Sequence, residues 1–252
     1  MNTALHIPLE TPTVNPSVNP TVRTWIIAVT VLQFALMMLA AVVLGSSINW
    51  PASLDSAPDQ ILPLIHREAG NVALGYGAYF LSAFLLAPLA VLVAAQWHAK
   101  TVHALLWLGI ALGVSASLFK LLGIVRWLVL MPGLASAYVS SDATPATQIV
   151  TGQVYQAFNA YAGGIGEMLG VQIFAGLWTV IVALLAARVG LPRWVSVMGY
   201  LAALLLFVGL LERFGFDLGP VLTVSNVFWQ VWLLALAFTV TAGQVPAKAM
   251  RA

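Results

Sequence analysis

The hydrophobic pattern of the chain consists of six long apolar segments separated by polar connections. The segments cover residues 24–45, 70–95, 102–131, 161–187, 194–211 and 223–242. A helix needs roughly 20 mainly apolar residues to cross a bilayer, and these segments lack the period-two alternation of membrane β-strands. We therefore predict an all-α, polytopic membrane protein in which residues 24–243 form a six-transmembrane-helix bundle.

The connections between these segments predict which helices are neighbours. Residues 96–101 and 188–193 form short connections, so we expect the second and third helices, and the fourth and fifth, to pack as antiparallel pairs. The connections 46–69 and 132–160 are longer and rich in Ser, Thr, Asp and Pro. We therefore expect loops there. Loops commonly carry lids and surfaces for partners, so any such feature should lie in these two connections.

The two ends of the chain lie outside this apolar region. Residues 1–23 are polar and contain four evenly spaced prolines, Pro8, Pro12, Pro16 and Pro20. Proline at this density opposes helix formation, so we predict a disordered cytoplasmic tail there. It does not resemble a signal peptide, because no clear cleavage site follows the next apolar run. Residues 244–252 are predicted to form a second cytoplasmic tail.

The basic residues of the connections indicate an orientation. With the amino terminus in the cytoplasm, six basic residues lie in cytoplasmic segments: Arg23, Lys100, Arg188, Arg193, Lys248 and Arg251. The outer connections then contain only Arg67 and Arg213. This distribution follows the positive-inside rule, and it predicts that both termini are cytoplasmic.

Composition supports the membrane assignment and narrows the possible chemistry. Of the residues, 61% are hydrophobic and 7% are charged, whereas soluble domains carry about 25% charged residues. The absence of cysteine excludes disulfides, thiolate metal sites and cysteine nucleophiles. The basic residues are too dispersed for a nucleic-acid surface. His98 and His103, about 140° apart on a helix, are a poor metal pair, so we predict no metal and no cofactor.

Three ionisable residues fall inside the predicted spans. A charged side chain is costly there, and it usually pairs with an opposite charge or another polar group. Lys120 and Arg126 belong to the third span and Glu167 to the fourth, all at depths near the outer leaflet. Their helix faces also carry the close-packing pairs Gly109–Gly113 and Gly166–Gly170. We therefore expect the third and fourth helices to pack together and to form an ion pair between these charges.

Further charged residues are predicted at the outer ends of the helices. His66, Arg67 and Glu68 precede the second span, and Glu212, Arg213 and Asp217 follow the fifth. The numbers of cations and anions are nearly equal, which favours mutual salt bridges or simple solvation at the interface. The alternative is that Arg67, Glu68 and Arg213 form the rim of a polar pocket.

Two interpretations of the intramembrane charges stay open. In the first, they only hold two helices together. In the second, Lys120, Arg126 and Glu167 form a polar pocket in the outer half of the bundle that binds a small molecule or lipid, in a transport-like or accessory role. No catalytic motif is present, and we predict no catalytic residues.

Two further alternatives concern the class of protein. One is an intramembrane enzyme acting on lipid, with Glu167 as acid or base and His66 as its helper, which requires hydrogen-bond contact between them. The other is a structural subunit of a membrane complex or a homo-oligomer, which an uncovered glycine-lined helix face would favour. Membrane lipid is the expected partner in every case.

A series of short motifs in the last third of the chain resembles a known family. They are Gly176-Leu177-Trp178, Arg188, Leu191-Pro192-Arg193, Gly199, Phe228-Trp229 and Trp232-Leu233-Leu234. Their order is similar to that in bacterial integral membrane proteins of domain-of-unknown-function family 4386. The resemblance implies a six-helix bundle in the bacterial cytoplasmic (inner) membrane and implies no activity.

Overall fold

The computed structural model describes residues 20–98, 101–216 and 218–242, and this part of the chain is almost entirely helical. It contains α1 (Pro20–Ile48), α2 (Pro58–Arg67), α3 (Ala69–Trp97), α4 (His103–Val129), α5 (Met131–Val139), α6 (Pro145–Gly164), α7 (Gly176–Arg188), α8 (Arg193–Val208) and α9 (Gly219–Ala242). Two 3₁₀ turns, Ala52–Asp55 and Gly209–Phe214, and a π-helix, Ile165–Ala175, complete the described structure.

Six helical stretches of this structure are long and apolar enough to cross a membrane. They are Pro20–Ile48, Ala69–Trp97, His103–Val139, Pro145–Arg188, Arg193–Phe214 and Val221–Val240. The predicted six-span, multi-pass membrane protein is thereby confirmed. The first helix begins at Pro20, so residues 20–23 of the predicted tail are helical, and residues 1–19 and 244–252 lie outside the described residues.

The spans form a closed ring. α1 packs against α3, α3 against α4, and α4 against the π-helix and α7; α7 then packs against α8, α8 against α9, and α9 against α1. The two predicted antiparallel pairs, α3 with α4 and α7 with α8, are confirmed. We call the end with the short connections 98–102 and 189–192 the turn end, and the end with α2, α5 and both 3₁₀ turns the capped end.

The two segments predicted as loops at the capped end are largely helical, which corrects that expectation. α6 begins at Pro145, well before the predicted start of the fourth span, where the Thr144 hydroxyl accepts a hydrogen bond from the Thr147 amide at 3.2 Å. This N-cap, followed by proline at the first position, is a strong helix start. α2 buries Ile61 and Ile65 and packs against α5.

Two apolar clusters fill the interior, one toward each end. The cluster at the turn end is built around Trp178, Trp229 and Trp232, whose rings meet edge to face at centroid distances of 6.2 and 6.4 Å. The Trp229 indole donates to Thr179 Oγ1 and the Trp232 indole to the Val195 carbonyl. The turn end of the ring is therefore closed by packed aromatic side chains.

Candidate functional site

A cavity of about 1190 Å³ lies within the ring toward the capped end. Every span contributes to its wall, with Met37, Tyr79, Arg126, Glu167, Leu206 and Gln230 as representatives of the six. The segment Trp50–Ala57 and the turn around Arg213 surround it at the capped end. Its volume is slightly above that of typical small-molecule sites, about 300–1,000 Å³.

Lys120 lies in a smaller pocket of about 50 Å³ that shares Tyr79, Arg126 and Glu167 with the large cavity. Its side chain is buried, and its Nζ lies 5.1 Å from the ring centroid of Trp229 and 6.0 Å from that of Tyr79. Both distances are within cation–π range. The ammonium group therefore lies directly against the tryptophan layer that closes the turn end.

Arg126 is fixed by hydrogen bonds that connect three parts of the chain. Its Nη1 donates to the Gly123 carbonyl at 2.8 Å, and its Nη2 donates to Asn159 Oδ1 on α6 at 3.1 Å. Asn159 Nδ2 in turn donates to the Leu54 carbonyl at 2.8 Å. The guanidinium thus joins α4 to α6 and to the first 3₁₀ turn, at the wall of the cavity.

Glu167 is carried by the π-helix between α6 and α7. Such i→i+5 segments usually comprise a single turn and occur often at functional sites, whereas this one spans 11 residues. Residues five apart, such as Glu167 and Gln172, are about 140° apart on an α-helix, and the wider π turn brings them closer to one side. Both line the cavity.

The predicted packing of the third and fourth spans is confirmed, and the predicted glycines Gly166 and Gly170 lie at this contact together with Gly123 of α4. A Cβ added at Gly123 would lie 2.6 Å from the Gly166 Cα, so the two backbones are in direct contact. Gly170 faces the Lys120 backbone, while Gly113 faces Ala90 and Trp178. Gly123, which sequence analysis did not select, therefore sets the approach of α4 to the π-helix.

The expected ion pair between these helices is absent from the described structure. Neither Lys120 nor Arg126 lies within 4 Å of the Glu167 carboxylate, whereas Arg67 does form an ion pair with the neighbouring Glu68, at 3.3 Å. The reason is that each cation has other contacts: Lys120 lies on aromatic rings, and Arg126 donates to Gly123 and Asn159. The three charges line the same smaller pocket without pairing.

The predicted rim residues separate into two groups. Arg213 and Glu212 line the cavity, whereas Arg67 and Glu68 pair with each other at the junction of α2 and α3 and are not among the residues that line it. The Arg67 side chain is 72% exposed. Asp217 lies outside the described residues.

His66 does not meet the requirement of the enzyme hypothesis. Its Nδ1 lies 3.5 Å from the Ser136 hydroxyl on α5, and His66 is not among the described residues that line the cavity with Glu167.

The His98 and His103 rings meet at the turn end at a centroid distance of 4.7 Å. In the described part of the chain, no group of three or more His, Asp or Glu is arranged to bind a metal.

Several polar residues of the cavity were not selected from the sequence. Tyr155 and Gln172 line it and are buried, and neither the Tyr155 hydroxyl nor Gln172 Oε1 has a hydrogen-bond partner in the described structure. The same holds for Arg126 Nε and for the hydroxyl of Tyr76, whose ring stacks on Trp127 at 4.5 Å. Their sequence signal is weak, because a lone Tyr or Gln in a span resembles ordinary core.

Comparison with known proteins matches the chain to a family. The family described as "Domain of unknown function (DUF4386)" matches residues 24–238, which extends well beyond the motifs of the last third. No curated protein and no solved structure matches the chain.

Proposed function

We propose that this chain, which belongs to the family described as domain of unknown function DUF4386, binds a small polar or amphipathic molecule in its central cavity, in a transport-like or accessory role. The proposed site consists of Lys120, Arg126 and Glu167, with Arg213 at the rim. We further propose that it functions in the bacterial inner membrane. Arg67 and Glu68, paired outside the cavity lining, are excluded from the site.

The observation that carries this proposal is the set of buried polar atoms at the cavity that have no partner in the described structure. Buried polar groups are nearly always hydrogen-bonded, and an unpaired one costs about 1–3 kcal/mol. The Arg126 Nε, the Tyr155 hydroxyl and Gln172 Oε1 together offer both donors and acceptors. These atoms are covered by their neighbours in the described structure, and small side-chain movements would bring them into contact with a polar ligand in the cavity.

The closed turn end favours a binding site that is open at one end, and it argues against a continuous channel through the bundle. Trp178, Trp229 and Trp232 are each almost fully buried and fill the interior beyond Lys120. A ligand that reached Lys120 would meet this layer, and passage beyond it would require the aromatic rings to separate. The arrangement therefore favours a site that holds its ligand over one that conducts it freely.

Obstruction of the cavity by a bulky side chain tests the proposal. Gly164 lines the cavity, and a Cβ there would meet only Arg213 Nη2 at 4.0 Å, so Gly164→Trp would extend an indole into the cavity beside Glu167. Gly133→Trp is the matched control, because Gly133 also has open space around it but does not line the cavity.

The full-length variants are purified in mild detergent, incubated with a total polar lipid extract and phosphoethanolamine, and examined by native mass spectrometry. We expect the wild type and Gly133→Trp to retain the same species, and Gly164→Trp to retain roughly tenfold less, equivalent to about 1.4 kcal/mol. Equal retention by all three proteins would refute binding in the cavity.

A structural subunit is the second candidate, favoured by one observation. A Cβ at Gly70 or Gly77 on α3 would meet no atom within 4 Å in the described structure, so this glycine-bearing side of α3 is uncovered. In lipid, such a surface suits close contact with another helix. Gly77→Trp should then dissociate an oligomer seen by mass photometry of the purified protein, and an unchanged mass distribution would argue against this role.

A further inference from the structure

The central cavity continues sideways between α1 and α9. Val227 of α9 lines the cavity, yet its side chain is 51% exposed. It shares a stripe with Val224 and Val231, both exposed, at the spacing of three and four residues that defines one helix face. Val227 therefore marks the border between the cavity and the surface of the bundle that contacts lipid.

α1 forms the opposite border of this opening. Met38 and Ala41 line the cavity and are half-buried, next to the exposed Val42. Toward the turn end, Ile26 of α1 belongs to the apolar cluster that also contains Trp229, Trp232 and other residues of α9. At the capped end the cavity lies between the two helices, with Met38 and Ala41 on one side and Val227 on the other, and we call the space between these residues the slot.

The slot lies at the depth of the acyl chains. Val227 follows the first residue of α9 by eight positions and Met38 precedes the last residue of α1 by ten, which is about 12–15 Å along the helices. Half of the hydrocarbon core of a bilayer is about 15 Å. A water-soluble ligand does not need an opening toward the lipid at this depth, whereas a lipid in the cavity needs one for its acyl chains.

The charged residues of the cavity are electrically balanced. Six charged residues line the cavity or the smaller pocket that contains Lys120: Lys120, Arg126, Arg213, Asp55, Glu167 and Glu212. A purely anionic ligand would be matched by an excess of cations, and a purely cationic one by an excess of carboxylates. Equal numbers of each suit a headgroup that carries both a phosphate and an ammonium.

We propose, as a refinement that rests on the proposed function, that the ligand is a zwitterionic phospholipid that enters from the membrane between α1 and α9. Its phosphate contacts Arg126 and the Tyr155 hydroxyl, because charge-assisted bonds from arginine to phosphate are strong. Its ammonium contacts the Glu167 carboxylate. Its acyl chains leave the cavity through the slot, past Met38 and Val227.

A plug in the slot tests the route of entry. Ala41→Trp would place an indole in the slot, and Val42→Trp places the same group one residue along, where it faces away from the cavity. Full-length proteins in nanodiscs are mixed with vesicles containing fluorescent phosphatidylethanolamine, and uptake into the protein is followed over time. We expect Ala41→Trp to slow uptake by roughly tenfold and Val42→Trp to match the wild type.

Headgroup preference provides the second arm of the experiment. With phosphatidylethanolamine and phosphatidylglycerol supplied equally, the wild type should retain the former in roughly fivefold excess, and Glu167→Gln should lose this preference. Soluble phosphoethanolamine, which has no acyl chain, should bind Ala41→Trp and wild type alike.

Each outcome bears on a different part of the proposal. Equal uptake rates for Ala41→Trp and Val42→Trp would overturn the lateral route, and equal retention of both lipids by the wild type would overturn the zwitterionic headgroup. If Gly164→Trp loses its ligands while Ala41→Trp behaves as wild type, the proposed function stands and only this refinement fails. If Gly164→Trp retains all ligands, both fail.

Discussion

At the residue scale, the three intramembrane charges differ in how firmly the protein fixes them. Arg126 donates two hydrogen bonds to protein oxygens, whereas Lys120 contacts only aromatic faces among the interactions described. A buried charge without a close counter-ion carries a desolvation cost that cation–π contacts, worth about 0.5–2 kcal/mol, only partly offset. A residue kept in such surroundings is better suited to meet a ligand than to stabilise the fold.

Replacement of Lys120 by methionine separates these two roles. Methionine has a similar length but no charge, and exchanging buried ionic groups for apolar ones is often neutral or stabilising by about 1–4 kcal/mol. We therefore expect Lys120→Met to unfold at the same temperature as the wild type or a higher one, followed by tryptophan fluorescence in detergent, while ligand retention falls. A marked loss of stability would instead show that the ammonium is a structural contact.

Asn159 should show the opposite behaviour, because it is the link between Arg126 and the first 3₁₀ turn. Its amide accepts from Arg126 and donates to the Leu54 carbonyl. Asn159→Ala leaves both partners unsatisfied, at a cost of about 1–3 kcal/mol for each buried group. We expect a clear decrease in unfolding temperature, with Gln156→Ala, on the same helix and exposed to the cavity, as the control that changes it little.

At the element scale, the contact between α4 and the π-helix depends on the absence of side chains. A Cβ at Gly123 would lie 2.6 Å from the Gly166 Cα and 3.0 Å from the Ala162 carbonyl oxygen. These are backbone atoms, which yield only if the helices move apart. Because the helices that meet here carry Lys120, Arg126 and Glu167, their separation would also alter the cavity.

A pair of glycine-to-alanine substitutions measures this contact. Gly123→Ala should destabilise the protein by about 1–3 kcal/mol, as overpacking of a filled interior does, and should weaken ligand retention. Gly77→Ala is the control, since its Cβ would meet no described atom within 4 Å, and alanine is the better helix former by about 1 kcal/mol. Equal unfolding temperatures of the two variants would show that the close approach is unimportant.

The sequence predicted the elements that hydrophobicity alone determines. Six spans and two antiparallel pairs follow from apolar length and short connections, and the structure contains them. The early start of α6 at Pro145 was missed because its polar residues resemble a loop, although Thr144 and Pro145 form a recognisable helix start. The π-helix was not predictable, because i→i+5 bonding leaves no periodic signal in so apolar a segment.

The site was predicted less completely for a related reason. Lys120, Arg126 and Glu167 stand out as charges in apolar spans, and the structure brings all three to the smaller pocket beside the cavity. Their partners were not predicted, because an aromatic ring such as Trp229 or an amide such as Asn159 resembles ordinary helix sequence. The slot between α1 and α9 is likewise a property of the tertiary arrangement, which no single segment encodes.

At the scale of the whole molecule, the ring is asymmetric along the membrane normal. The turn end is filled by tryptophans, and the capped end contains the cavity and its charged residues. Both described ends of the chain, at Pro20 and Ala242, lie at the turn end, because an even number of spans separates them. The side from which a soluble headgroup would reach the cavity is therefore set by which end faces the cytoplasm.

The positive-inside pattern predicts that the capped end faces outward, and the absence of cysteine allows this to be measured directly. Ser141→Cys introduces a thiol in the exposed connection at the capped end, and Pro192→Cys introduces one in the exposed connection at the turn end. In intact bacterial cells with a permeable outer membrane, a membrane-impermeant maleimide should label Ser141→Cys only, and Pro192→Cys should react only after the inner membrane is disrupted. The reverse pattern would place the cavity on the cytoplasmic side, so that its charged residues would be reached from the cytoplasm while the slot between α1 and α9 would still open to the membrane.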